Sequence, residues 1–201
     1  MAEVIEINLV CNNKLDTKIL LSFINSNVKG NIESRTIEIM DNWEYENRIS
    51  INSEVDIADL IEDKIICITE KYSSGYAGLN IESVHQKYCY TIWFNIANYE
   101  ETNQYSNLIK AFISHCKEII CNNCVLCSLG KEVIFEYEYD CYKTIHNSHN
   151  IDVWIILSDK YDSVIKHDVN IFHDIVYVHK AILLYYIKIM TCFVITSLGC
   201  N

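Results

Sequence analysis

Three cysteines stand at a spacing that could bind an iron–sulfur cluster. Cys121, Cys124 and Cys127 form the pattern C-x2-C-x2-C. Ferredoxin-type clusters use such spacing, but they need a fourth cysteine that typically follows after three further residues and precedes a proline. Lys131 stands at the position of that cysteine, and the chain contains no proline. The spacing therefore does not predict an iron–sulfur cluster.

A zinc site is the second chemistry that this region could support. Cys121 and Cys124 could supply two of the four ligands that zinc takes, and the others could come from Cys141, His146 and His149. However, Val125 and Leu126 indicate a strand, in which Cys124 and Cys127 would point to opposite faces. Thiolates that bind one metal must converge, so we expect buried, reduced thiols and neither a metal nor another cofactor.

Catalytic constellations are missing from the sequence. His146 and His149 lie in the polar stretch HNSHN, but no acid stands at a diagnostic spacing from them. His115 precedes Cys116 directly, and adjacent residues of a helix do not face each other. We find no phosphate-binding glycine loop, HExxH, GxSxG or EF-hand pattern. These absences favour a binding protein over an enzyme.

Two acidic runs offer surfaces that could bind a partner. Residues 132–140 alternate, so that in a strand the apolar side chains would share one face and the carboxylates of Glu136, Glu138 and Asp140 the other. Carboxylates about 7 Å apart along a strand repel one another unless a metal, local lysines or a basic partner neutralises their charge. The second run lies on a predicted short helix and contains Glu54, Asp59, Glu62 and Asp63. A solvated outer face is the alternative interpretation of both runs.

The overall charge restricts the possible partners. The 201 residues carry a formal net charge of -11, which argues against binding to nucleic acid or to an anionic membrane, because both require Lys and Arg. A basic protein partner would suit this field, although an acidic and merely soluble protein has the same composition. The amino-terminal segment MAEVIEINLV lacks the features of a signal peptide. We therefore expect a cytoplasmic protein.

The first half of the chain reads mainly as strands. Helical spacing of apolar residues predicts a helix that begins near Asn13, carries Asp16 in its first turn, turns Ile19 toward the core and stops at Gly30. Clean alternation in residues 88–97 predicts a strand that pairs antiparallel with residues 76–84. Further strands are predicted at residues 4–10, 36–40 and 65–69, and a short helix at residues 53–63.

The second half adds helices and a hairpin. Tyr105, Leu108, Phe112 and Cys116 recur at helical spacing and predict a helix over residues 105–120. A hairpin about Gly130 should join residues 125–129 to 132–139, followed by a strand at residues 152–157. The apolar stretch at about 174–197 predicts a buried C-terminal helix, with a membrane tail anchor as the alternative. The whole chain, residues 1–201, is thus predicted to be a single α+β domain: a mainly antiparallel sheet packed by three or four helices.

The central block resembles immunity proteins of bacterial polymorphic-toxin and contact-dependent inhibition systems. The resemblance rests on YCYTIWFNIANY, on the helix YSNLIKAFISHCKEI and on VLCSLGKEVIFEYE, about a third of the chain. It implies a small acidic α+β domain that binds and neutralises a cognate toxin, such as a nuclease or another basic effector, in the cytoplasm. No signature residue is carried over. The alternative is a metal-binding protein or hydrolase that uses the Cys/His cluster or the acidic strand.

Overall fold

A single large sheet dominates the computed structural model. The structure describes residues 4–51, 64–95, 108, 111–112, 114–115, 123–138, 143–144, 147–157 and 175–178. The elements in chain order are β1 (Val4–Cys11), α1 (Thr17–Asn27), β2 (Ile32–Met40), β3 (Ile49–Ile51), β4 (Ile65–Tyr72), β5 (Gly75–Val84), β6 (Lys87–Asn95), β7 (Cys124–Ile134), β8 (His149–Leu157) and β9 (Ile175–Val178). Six predicted strands overlap observed ones, namely β1, β2, β4, β5, β6 and β8. Strands β2 and β4 are longer than predicted, and residues 96–97 of the strand predicted at 88–97 lie outside the described residues.

The first strand lies inside the sheet rather than at its edge. The strand order is β3-β2-β4-β5-β6-β1-β7-β8-β9, and every neighbouring pair is antiparallel except β8 and β9. Helix α1 carries the chain from β1 across three strands to β2. It therefore covers one face of the sheet, which we call the helix-covered face.

The N-cap of helix α1 lies three residues after Asn13, the predicted start. Asp16 is the N-cap, and its side chain accepts the Lys18 backbone N–H at 2.9 Å. That carboxylate satisfies one of the amide groups that a helix start leaves unpaired, so Asp16 and not Asn13 sets the boundary. The helix buries Leu20, Phe23 and Ile24 but leaves Ile19 38% exposed, which corrects the predicted core position of Ile19.

The helix-covered face holds the main core. Cross-strand partners place Ile68, Leu79, Ile92, Ile7 and Leu129 in one row across five strands, and all five are buried. Above this row lie Phe23 of α1 and Phe112, whose ring centroids are 5.3 Å apart in an edge-to-face arrangement. Phe112 and Leu108 are buried in the same cluster, as the predicted helical spacing required.

One charged group is buried on this face with full compensation. Glu70 is 0% exposed, and one of its oxygens accepts Arg35 Nε at 2.8 Å and Nη2 at 2.6 Å. The Tyr72 hydroxyl contacts the other oxygen and also Asn25 of α1. A buried carboxylate is tolerated when its lone pairs are occupied and its charge is paired. This network ties the end of α1 to β2 and β4.

The predicted helix content is wrong. The described residues contain one complete helix, α1, beside a nine-stranded sheet, not a sheet packed by three or four helices. The helix expected at about 174–197 fails at its start, because Ile175–Val178 is strand β9 and pairs in parallel with β8. The rest of that segment and the helix expected at 53–63 lie outside the described residues. No helix in the described part of the chain is long and apolar enough to span a membrane.

The predicted hairpin about Gly130 is also wrong. Strand β7 runs through Gly130 to Ile134 and pairs with β1 on one side and β8 on the other. A Cβ on Gly130 would lie 2.1 Å from the Asn150 carbonyl oxygen. Glycine is required here because β8 approaches the β7 backbone at an irregular step in the ladder, and the chain does not turn.

Candidate functional site

The acidic segment, residues 135–138, follows β7 and is not part of the sheet. Two hydroxyls hold its backbone in place. The Glu136 N–H donates to Ser148 Oγ at 3.1 Å, and the Glu138 N–H donates to Thr144 Oγ1 at 2.9 Å. The strand predicted to reach residue 139 thus stops at Ile134, and side-chain acceptors replace a neighbouring strand.

The side chains of the acidic segment follow the predicted alternation only in part. Glu136 is exposed between Phe135 and Tyr137, which are partly buried, but Glu138 is also partly buried. The two aromatic rings pack on a small apolar cluster on the far side of the sheet from α1, formed by Val10, Cys89, Val125 and Leu126. The Tyr137 ring also lies 6.3 Å from the His85 ring, centroid to centroid. These contacts fix the apolar side of the segment and leave Glu136 between the two rings exposed.

No ion pair between described residues neutralises the acidic segment. The four such pairs are Arg35–Glu70, Arg48–Glu38, Lys64–Asp41 and Lys71–Glu33. Glu138 has a neutral contact instead, because Asn147 Nδ2 donates to its Oε1 at 3.4 Å. Of the other predicted contact residues, Asp140, Glu54, Asp59, Glu62 and Asp63 lie outside the described residues.

The cysteine pattern is arranged differently from its prediction. The register of β1 and β7 shifts by one residue between the pairs Val10–Leu126 and Cys11–Cys124. Because this bulge adds one residue to β7, Cys124 and Cys127 point to the same face and not to opposite faces. Both thiols lie in the core beneath α1, and Cys124 Sγ is 3.3 Å from Cys11 Sγ.

These thiols are not arranged as a metal centre. The hydrogen bond with Cys11 and burial raise the pKa of the Cys124 thiol, which favours the neutral form over the thiolate that a metal needs. His149 is exposed at the start of β8, about 20 Å along that strand from Ile155, the partner of Cys127. Cys121, Cys141 and His146 lie outside the described residues, and no group of three ligating side chains occurs among the residues that are described.

The face of the sheet opposite α1, which we call the polar face, contains groups that the motif search did not single out. Asn8 pairs across strands with Thr91 and Ser128, and Thr91 Oγ1 donates to Asn8 Oδ1 at 2.7 Å. Asn8 Nδ2 and Ser128 Oγ are buried without a hydrogen-bond partner. Glu6 lies two residues before Asn8 on the same face, and burial raises the pKa of its carboxyl to about 7.

Other carboxylates on the polar face have partners. Trp43 Nε1 donates to Glu82 at 3.0 Å, and Arg48 forms an ion pair with Glu38. Glu6 has neither kind of contact among the described residues. Alternation in β1 could have located it, because Ile5, Ile7 and Leu9 define the core face and leave Glu6 and Asn8 on the other. No pattern in the sequence, in contrast, indicates that Cys11 meets Cys124.

No protein-family model and no curated protein matches this chain. Among solved structures, the chain is similar to one in the crystal structure of the toxic C-terminal tip of CdiA from Pseudomonas aeruginosa in complex with immune protein. The two chains share 12% sequence identity with a TM-score of 0.40, and the alignment covers 66% of this chain and 88% of that one. A likeness at this level carries no argument about function.

Proposed function

We propose that this chain is an immunity protein that binds a cognate toxin domain, a nuclease or another basic effector, and neutralises it. The observation that carries the proposal is the acidic segment: two hydroxyls hold the backbone at Glu136 and Glu138, and no described cation pairs with either carboxylate. Contact is proposed through Glu136, Glu138 and Asp140, and through Glu54, Asp59, Glu62 and Asp63.

The way in which the acidic segment is held suits a binding surface. Ordering a loop on association costs free energy, and a segment that is already fixed avoids part of that cost. Here the backbone is fixed by Ser148 and Thr144, and the apolar side is fixed by Phe135 and Tyr137. The carboxylates therefore need little reorganisation before they can meet a cationic surface.

The net charge of the chain indicates which kind of partner it would bind. A net charge of -11 would attract a basic protein and orient it during encounter. Nuclease domains carry cations where they grip phosphates, and a row of carboxylates can occupy those cations in place of the nucleic acid. Binding of this kind needs no cofactor, nucleic acid or membrane, and we propose that it takes place in the cytoplasm.

The test uses two variants with the same change in net charge. Glu136→Gln/Glu138→Gln/Asp140→Asn removes the proposed contact, and Glu33→Gln/Glu44→Gln/Glu46→Gln removes three exposed carboxylates elsewhere. Association with candidate toxin domains encoded by adjacent genes is measured by surface plasmon resonance at several salt concentrations. We expect the first variant to associate at least about tenfold more slowly and with a weaker dependence on salt, while the control stays within about twofold.

Two outcomes would contradict this proposal. Wild-type association of the first variant would show that the acidic segment is not the interface. Equal losses in both variants would show that only the total charge matters. Thermal unfolding of each variant is measured alongside, and we expect little change because Glu136, Glu33, Glu44 and Glu46 are exposed and Glu138 is only partly buried.

A further inference from the structure

Cys11 and Cys124 form the last rung on which β1 and β7 are paired as strands. They are cross-strand partners, both thiols are buried, and their sulfur atoms are 3.3 Å apart. Both are free thiols. A disulfide needs its sulfurs at about 2.05 Å, so an approach of only about 1.3 Å separates this pair from a covalent bond.

The neighbouring backbone hydrogen bond identifies the type of rung. Asn12 N–H donates to the Asn123 carbonyl oxygen at 3.0 Å, one residue beyond Cys11 and one before Cys124. In an antiparallel ladder hydrogen-bonded and non-hydrogen-bonded pairs alternate, so Cys11 and Cys124 form a non-hydrogen-bonded pair, with Cα atoms about 4.5 Å apart. Disulfides span Cα separations of about 4.4–6.8 Å. The backbone can therefore accept the bond without moving the strands apart.

We propose that Cys11 and Cys124 are a site of reversible oxidation, at which a low-molecular-weight disulfide such as oxidised glutathione converts the two thiols into a cross-strand disulfide. One cysteine thiolate attacks a glutathione sulfur, and a first glutathione thiolate leaves. The second cysteine thiolate then attacks the mixed disulfide and releases the second glutathione. The two cysteines lose two electrons and two protons, and one oxidised glutathione becomes two reduced molecules.

The position of the pair gives the oxidant a route to it. Strand β1 ends at Cys11 and β7 begins at Cys124, and Asn12 and Asn13 are exposed. Ends of strands open locally at a lower free energy than the centre of a sheet. Burial and the contact with Cys11 raise the pKa of the Cys124 thiol, so exchange should take place from the opened form and should be slow.

Other described cysteines are placed less well for this reaction. Cys127 faces the same core but pairs with Leu9, two residues before Cys11 along β1. Cys89 pairs with Val10, whose side chain lies on the polar face, so the sheet separates Cys89 from Cys11. The geometry therefore specifies one bond, Cys11–Cys124, that would close the chain around α1 and strands β2 to β6.

The experiment maps disulfides in the folded, full-length protein. Wild type is equilibrated with glutathione buffers from reducing to oxidising, quenched with acid, alkylated, digested with trypsin and analysed by tandem mass spectrometry. We expect residues 1–14 to become linked to residues 118–131 at Cys124 in most molecules at the oxidising end, and to be released by dithiothreitol. Cys124→Ala should abolish the link, whereas Cys89→Ala, which removes a buried thiol on the polar face, should leave it unchanged.

Three outcomes would overturn the inference. Cys11 could remain a free thiol in buffers that fully oxidise a reference dithiol; it could be linked mainly to Cys127; or the link could form only when urea unfolds the chain. Mapping of the wild-type protein alone decides among these, so the test holds even where an alanine variant folds poorly. A linked protein should also unfold at a higher temperature than the same protein after reduction.

Discussion

Each face of the sheet contains a buried or partly buried glutamate, and the two carboxyl groups have different surroundings. On the helix-covered face Glu70 is fully buried, but Arg35 and Tyr72 occupy both of its oxygens. On the polar face Glu6 is only partly buried, yet no described side chain pairs with it and burial raises its pKa to about 7. Asn8 Nδ2 and Ser128 Oγ are unsatisfied beside it.

The two faces therefore contribute differently to the stability of the fold. The helix-covered face combines close-packed apolar side chains with a compensated charge, and we expect it to supply most of the free energy of folding. The polar face contains buried polar groups and a carboxyl that have no partner among the described residues, which lowers stability. Truncating an apolar side chain of the helix-covered face should therefore lower the free energy of unfolding, whereas replacing an unpaired polar group of the polar face should raise it.

The largest effect is expected on the helix-covered face. Phe112 is fully buried against Phe23, so Phe112→Ala removes an aromatic ring from a packed core and should lower the free energy of unfolding by about 3–5 kcal/mol. Urea denaturation measures the loss. Tyr76→Ala is the control, because Tyr76 is 45% exposed on the polar face, and it should cost less than about 1 kcal/mol. Equal losses would contradict the assignment of the core to one face.

A smaller, pH-dependent effect is expected at Glu6. Its folded-state pKa of about 7 lies above the ordinary value of 4.5, so the folded protein holds this proton more tightly than the unfolded chain. The stability that this tighter proton binding contributes to the folded state is fully present below pH 4.5 and is lost as the pH rises through 7. Glu6→Gln should therefore match wild type near pH 4 and exceed it near pH 8, by about 2 kcal/mol after allowance for partial exposure.

Chemical denaturation across this pH range tests the effect of Glu6. Glu33→Gln serves as the control, because Glu33 is exposed and pairs with Lys71 at 2.7 Å on the surface; its curve should follow that of wild type. A Glu6→Gln protein that parallels wild type from pH 4 to pH 8 would show that the Glu6 carboxyl is compensated in solution.

The smallest effect distinguishes two buried serines. Ser128→Ala removes a hydroxyl that has no partner and should stabilise the protein by about 1 kcal/mol. Ser148→Ala removes the acceptor of the Glu136 N–H and should destabilise it by about the same amount. Thermal and urea unfolding of both variants give the comparison. If Ser128→Ala were less stable than wild type, the Ser128 hydroxyl would have a hydrogen-bond partner on the polar face.

Local patterns predicted the elements whose side-chain alternation depends on one strand alone. Strand β6 is an example, because Tyr90, Ile92 and Phe94 face the core as the sequence indicated. The acidic segment is another, since Phe135 and Tyr137 are partly buried although the segment is not a strand. In both cases the apolar period reports burial directly, whatever hydrogen bonds the backbone makes.

Features that depend on pairing between distant strands could not be read locally. The bulge that brings Cys124 and Cys127 to one face arises from the register of β7 against β1, and the sequence around Val125 resembles that of an ordinary strand. Gly130 similarly indicated a turn, whereas its actual requirement is the approach of β8. The prediction of a helix start at β9 is wrong because a short apolar run fits a strand as well as a helix.

The central place of β1 in the sheet affects the order in which the chain can fold. Residues of β1 leave the ribosome before their partners, which belong to β6 and β7 and are synthesised much later. Pairings between distant parts of a chain close large loops and are slow to form. During synthesis both edges of β1 therefore stay unpaired and its apolar side chains stay exposed until β6 and β7 have been made. Such a state is prone to aggregation.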